Sequence, residues 1–131
     1  MTEQEFSLLP DSRHTRLINH LSALCHKANV NWWKNPHTGR RIKRNKGELL
    51  ALIHSEISEA LEGERKALPD DKLPHRQMAE VELADALIRI FDYAGGFGYD
   101  LGGAFIEKMK YNEQRSDHKL KSRARKHGKK F

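Results

Sequence analysis

The chain has 131 residues and a net charge of +6, with 37% hydrophobic and 32% charged residues. That balance describes a single globular domain with much solvated helix, and it excludes a disordered chain. The longest aliphatic run, residues 49–53, is too short for a bilayer span, so no membrane partner is expected.

Residues 1–10 carry Glu3 and Glu5 where a secretion signal would carry positive charge, which leads to the expectation of a cytoplasmic protein. Asp11 or Ser12 then caps a first helix, to about residue 28, in which Leu17, Ile18, Leu21, Leu24 and Cys25 recur at helical spacing. Cys25 is the only cysteine, so an internal disulfide is impossible. His14, His20 and His26 stand six residues apart, which is not a ligand spacing on one helical face, and zinc has no support.

Residues 29–47 form a loop with no acid, containing Trp32, Trp33, Pro36 and Gly39 among Lys34, Arg40, Arg41, Lys43, Arg44 and Lys46. It is long for a passive connector, and such loops are often functional. One of the two Trp residues belongs to a core or an interface. The other is available to stack on a nucleobase, with Asn31 and Asn35 as candidate edge readers.

A second helix over 48–67 has a broad apolar face of Leu49, Leu50, Ile53, Ile57, Ala60 and Leu61. Pro69, Asp70, Asp71 and Pro74 break it. A third helix over about 77–94 carries Val81, Leu83, Ala84, Leu87, Ile88, Ile90 and Phe91 on more than one face and should be the most buried element, stopping at the Gly95-Gly96-Phe97-Gly98 break. Asp100 caps a fourth helix, to about residue 115. No strand alternation persists, so the expected fold is all-α, with residues 1–115 as one helical domain and 116–131 as an unstructured or extended basic tail. Residues 108–131 hold ten Lys or Arg against Glu113 and Asp117, while the rest of the chain is slightly acidic. Such a tail could bind nucleic acid, neutralise a polyphosphate or keep the protein soluble.

Two acidic pairs carry the functional argument. Glu56 and Glu59 lie three residues apart on the second helix, and Glu82 and Asp85 three apart on the third, so each pair shares a helical face. Like charges one turn apart weaken a helix, and a hard divalent cation such as Mg²⁺ is the natural compensation. Mg²⁺ held by carboxylates is usually completed by substrate phosphates, so the pattern points to phosphate-ester chemistry.

Glu56-x-x-Glu59, 22 intervening residues, Glu82-x-x-Asp85 and then Lys108-x-x-x-Asn112-x-x-Arg115 resembles the MazG-like nucleoside triphosphate pyrophosphohydrolases of the all-α superfamily, over residues 44–115. The ending His127-Gly128-Lys129-Lys130-Phe131 looks like the tails of phage-type members. The resemblance implies a helical bundle whose four-helix core is completed by dimerisation, as a homodimer or a dimer of dimers. It further implies Glu56, Glu59, Glu82 and Asp85 as ligands to Mg²⁺ or Mn²⁺, and cleavage between the α and β phosphates of a nucleotide to the monophosphate and pyrophosphate. Similar phage-encoded proteins make dGTP the first substrate to consider; a house-cleaning activity on noncanonical dNTPs is the alternative within the same class.

Two metal ions held by these carboxylates would orient and acidify a water and stabilise phosphoryl charge. Lys108 and Arg115 stand two helical turns apart with Asn112 between them, so all three can clamp the β and γ phosphates. Many family members have a glutamate immediately before the first pair; here Ser55 stands there, which leaves the general base open between Glu56 and the metal centre itself. Lys129 and Lys130 either reach the substrate phosphates or belong to a solvated cationic end. The competing class is a small basic helical nucleic-acid-binding protein. No helix-turn-helix or RNA-binding signature is present, and four carboxylates beside a basic patch serve no such binder, so a nucleic-acid partner is not expected.

Overall fold

The computed structural model describes residues 10–131, so the expectation drawn from Glu3 and Glu5 lies outside the described residues. The described chain is all-helical, without a strand. Four main helices are present: α1 (Ser12–Ala28), α2 (Lys46–Lys66), α3 (Met78–Phe97) and α4 (Leu101–Glu113). A single turn, α5 (Leu120–Arg123), follows, and 3₁₀ turns occupy Val30–Trp33 and Ser116–His118. The chain divides into two compact units, one containing residues 10–18 and Asp100–Phe131, the other Asn19–Tyr99.

In the second unit, the Asn45 side chain caps α2 by accepting from the Glu48 N–H at 2.9 Å, a contact worth about 1 kcal/mol. The helix ends at Ala67, a non-glycine residue in the left-handed region at φ 50°. The connector that follows is tied at its base, Met78 N–H donating to Leu68 O at 3.0 Å and Asp70 N–H to Arg76 O at 2.9 Å. It returns the chain so that α3 packs antiparallel along α2, with Ala60, Ala79 and Ala86 buried. Gly63 permits the close approach: a Cβ there would lie 2.9 Å from Met78 Cβ.

One expectation needs correction here. The third helix does not stop at Gly95-Gly96 but runs through them to Phe97, and Gly98, at φ 71°, ends it. The two glycines serve packing instead. A Cβ on Gly95 would collide with the Ser22 carbonyl, and one on Gly96 with the Trp33 ring. As expected, α3 is the most buried of the four helices, although Leu83, Leu87 and Ile88 are each about half exposed. Ile57 and Leu61 on α2 are likewise exposed, because one α2–α3 hairpin has too little partner surface to cover both stripes. The long loop is tied together by its own hydrogen bonds. Asn35 Oδ1 accepts from His37 and Thr38 N–H, and Ile42 N–H donates to Trp33 O at 2.9 Å.

In the first unit, Asp100 Oδ1 accepts from Gly103 N–H at 2.9 Å and caps α4 as expected. Gly102 lies against the Thr15 backbone, where no Cβ would fit. The basic tail is neither extended nor unstructured: it folds back on itself, with Gly128 N–H donating to Arg125 O at 2.9 Å and Arg123 Nε to Lys129 O at 3.3 Å.

Replacing Gly96 with Ala should lower unfolding stability by about 1–3 kcal/mol, because the buried Trp33 ring has no room to yield. Chemical denaturation followed by Trp fluorescence measures it.

Candidate metal centre

Glu56 and Glu59 project from α2 toward Glu82 on the antiparallel α3, and the three carboxylates each offer an oxygen within 4.8 Å of the others. Glu56 is buried at 8% exposure, Glu82 is partly buried and Glu59 open to solvent. Asp85 lies outside that tight set but senses it. Burial, followed by the charge of Glu56, raises its pKa, Asp70 and Glu59 adding to the effect and Arg89 opposing it.

Sequence reasoning missed Arg89. Its Nε donates to Glu56 Oε1 at 2.8 Å, so the most buried carboxylate has a fixed cationic partner. The signal was in the spacing: Arg89 stands four residues after Asp85 and seven after Glu82, on the same face of α3. Burial of Glu56 opposes its ionisation, but hydrogen bonds from Arg89 and Glu82 outweigh this and lower its pKa. Glu82 moves the other way. Burial, then its hydrogen bonds and repulsion with Glu56 and Glu59, push it up to about 8. Three carboxylates this close resist ionising together, and the upward shift at Glu82 reflects that repulsion.

Ser55, standing where a further glutamate would extend the first pair, is no substitute base, since its hydroxyl donates to Leu52 O at 2.6 Å within its own helix. Asp70, buried in the α2–α3 connector, accepts from Lys72 and Leu73 N–H, which holds its charge near Asp85. His75 and Arg76 line a cavity of about 360 Å³ at that connector, and Arg76 pairs with Glu80 at 3.0 Å.

The two tryptophans divide as expected. Trp33 is buried at 2% exposure and Trp32 is 72% exposed, its carbonyl held by Arg44 at 2.8 Å, with Asn31 exposed beside it. The Asn35 side-chain oxygen accepts from the loop backbone at His37 and Thr38. Asp92 anchors the loop. It accepts from Trp33 Nε1 at 3.0 Å and lies 2.9 Å from His26 Nδ1.

The proposed phosphate clamp belongs to the other unit. Lys108 Nζ sits 4.8 Å from the Tyr111 ring centroid, Asn112 Oδ1 is buried without a hydrogen-bond partner among the described residues, and Arg115 forms a two-point contact with Asp117 at 3.1 and 2.7 Å. The hydrogen bonds from Arg115 and Lys129 hold the Asp117 carboxyl well below the usual carboxylate range. Lys129 reaches Asp117 at 3.2 Å, and Lys130 Nζ donates to the Arg123 and Arg125 carbonyls, so both tail lysines are engaged within their own unit.

No protein-family model, curated protein or solved structure matches the chain. The functional reading therefore rests on the chemistry of the site.

The Glu82 shift has a thermodynamic consequence. Its folded pKa, about 8, lies above its ordinary value of 4.5, so its stabilising contribution is complete below about pH 4.5 and is lost as pH rises through about 8. Without divalent ions, the melting temperature of the wild type should fall between pH 5.5 and 8.5 more steeply than that of Glu82→Gln, which keeps the hydrogen bond and cannot ionise. Parallel curves in a thermal-shift series would contradict this assignment.

Proposed function

We propose that the protein is a divalent-metal-dependent nucleoside triphosphate pyrophosphohydrolase that releases a nucleoside monophosphate and pyrophosphate, with dGTP as the first substrate to test. The observation that carries this reading is the convergence of Glu56, Glu59 and Glu82, from two helices, to within 4.8 Å. The donor set suits the ion. All its ligand atoms are hard carboxylate oxygens, as Mg²⁺ and Mn²⁺ prefer, and no Cys or His intrudes to favour zinc. Asp85, one turn after Glu82, would complete the ligands. When bound, divalent ions supply a Lewis acid for the phosphoryl oxygens and lower the pKa of the attacking water.

The chain's own residues have distinct tasks. Glu56, fixed by Arg89, is the rigid ligand, and the more exposed Glu59 is free to adjust to substrate. Lys108, Asn112 and Arg115 are assigned to the departing pyrophosphate. For Arg115 this means exchanging the Asp117 carboxylate for a phosphate, a swap between two anions of similar geometry. Trp32 offers an unobstructed ring face to a nucleobase, with Asn31 beside it, whereas Lys129 and Lys130 would have to leave their tail contacts to join. The exposed stripe of Ile57, Leu61, Leu83 and Leu87 supports a second copy of the chain completing a four-helix core, in a homodimer or homotetramer acting in the cytoplasm. A house-cleaning specificity for noncanonical dNTPs would use the same centre.

Incubation with each common dNTP and Mg²⁺ or Mn²⁺ should yield monophosphate and pyrophosphate, and Glu59→Gln or Asp85→Asn should cut kcat/KM by at least about 100-fold while the helical circular-dichroism signal is retained. No turnover of any nucleotide, together with salt-sensitive DNA binding, would favour a nucleic-acid-binding protein instead. Leu87→Glu should shift sedimentation toward the monomer.

A further inference from the structure

We propose that Arg89 is a substrate-binding residue, whose two Nη groups donate to a non-bridging oxygen of the bound polyphosphate. This rests on reading the acidic cluster as a metal–phosphate centre. The starting observation is how the guanidinium is used. Only Nε contacts Glu56, at 2.8 Å, and among the described residues no hydrogen-bond partner holds either Nη group. Glu56 is nearly buried, while the Arg89 side chain is 41% exposed. The inner edge of the group is therefore anchored and its outer end faces solvent beside the carboxylates.

An arginine committed only to neutralising Glu56 would gain most by presenting a two-point fork to it, as Arg115 does to Asp117. Arg89 makes one contact and leaves four N–H groups for another acceptor. The acceptor's position follows from the helix. Arg89 stands one turn from Asp85 and two from Glu82, so an anion held by a cation between these carboxylates would lie along the same face of α3. A planar cation on a rigid helix, pinned through Nε, is pre-organised for phosphoryl oxygens and loses little side-chain freedom on binding.

The alternative is that Arg89 only positions Glu56, and the two roles predict opposite behaviour toward the metal. Removing a positive charge that merely orients a ligand weakens metal binding, whereas removing one that faces substrate leaves metal binding unchanged or tightens it, because the cluster becomes more anionic. Three measurements on wild type, Arg89→Lys and Arg89→Met separate them. They are Mn²⁺ binding without nucleotide by electron paramagnetic resonance, calorimetric binding of the α,β-methylene analogue of dGTP with Mg²⁺, and kcat and KM for dGTP or whichever dNTP the wild type turns over.

In Arg89→Met, Mn²⁺ affinity should be unchanged or higher, while analogue affinity falls about 10- to 100-fold and kcat/KM about 100- to 1,000-fold. Arg89→Lys, which keeps a charge beside Glu56 and so protects folding, should lose the analogue affinity in part. Unchanged analogue binding in Arg89→Met, or a loss of Mn²⁺ affinity equal to the loss of analogue affinity, would overturn the proposal while leaving the metal–phosphate reading intact. A wild type that binds neither Mn²⁺ nor the analogue would remove that reading and this proposal with it.

Discussion

The close approach of α2 and α3 is the constraint on which the rest depends. Small residues line the contact: Gly63, Ala60, Ala79 and Ala86 let the two helices lie near one another along their length. Helices this close bring side chains from facing turns within contact distance, and the facing turns here carry Glu56, Glu59 and Glu82. Packing thus creates an electrostatic conflict that packing alone does not resolve. The apolar gain from burying the alanines is set against three carboxylates competing for one small volume.

The protein resolves the conflict with two cationic devices of its own. Arg89 neutralises the buried Glu56, and a proton on Glu82 removes a second charge, leaving Glu59 to solvent. Neither device is permanent. A proton held near pH 8 is readily exchanged for a divalent ion, and an arginine bound through one nitrogen retains most of its donors.

A second region of the same unit does a different job. Asp92 gathers the Trp33 indole and the His26 ring, the Arg41 guanidinium stacks 5.3 Å from the Trp33 ring centroid, and Lys46 lies 4.8 Å from the Phe97 ring centroid. These contacts convert an acid-free, cation-rich loop into an ordered element closed by the Lys34–Arg41 bridge. With Trp33 committed to the core, the adjacent Trp32 is directed outward, because the 3₁₀ turn at Val30–Trp33 points neighbouring side chains in different directions.

Local chemistry in the sequence was enough to locate the four main helices, since caps such as Asp100 and apolar periodicity act within a few residues. It also identified the acidic pairs, whose i,i+3 spacing is a property of one helix at a time. What it could not reveal is which charges face each other. The partners of Arg89 and Asp92, on α2, α1 and the loop, are distant in the chain from α3. Gly95 and Gly96 read as a helix stop because their φ freedom is local knowledge, whereas the Ser22 carbonyl and Trp33 ring that require them are distant in the chain. Residue type and spacing alone determined the helices and the carboxylates. The tertiary structure decided the partners, the upward shift at Glu82 and the solvent-facing end of Arg89, because burial and Coulomb interaction depend on distance in space.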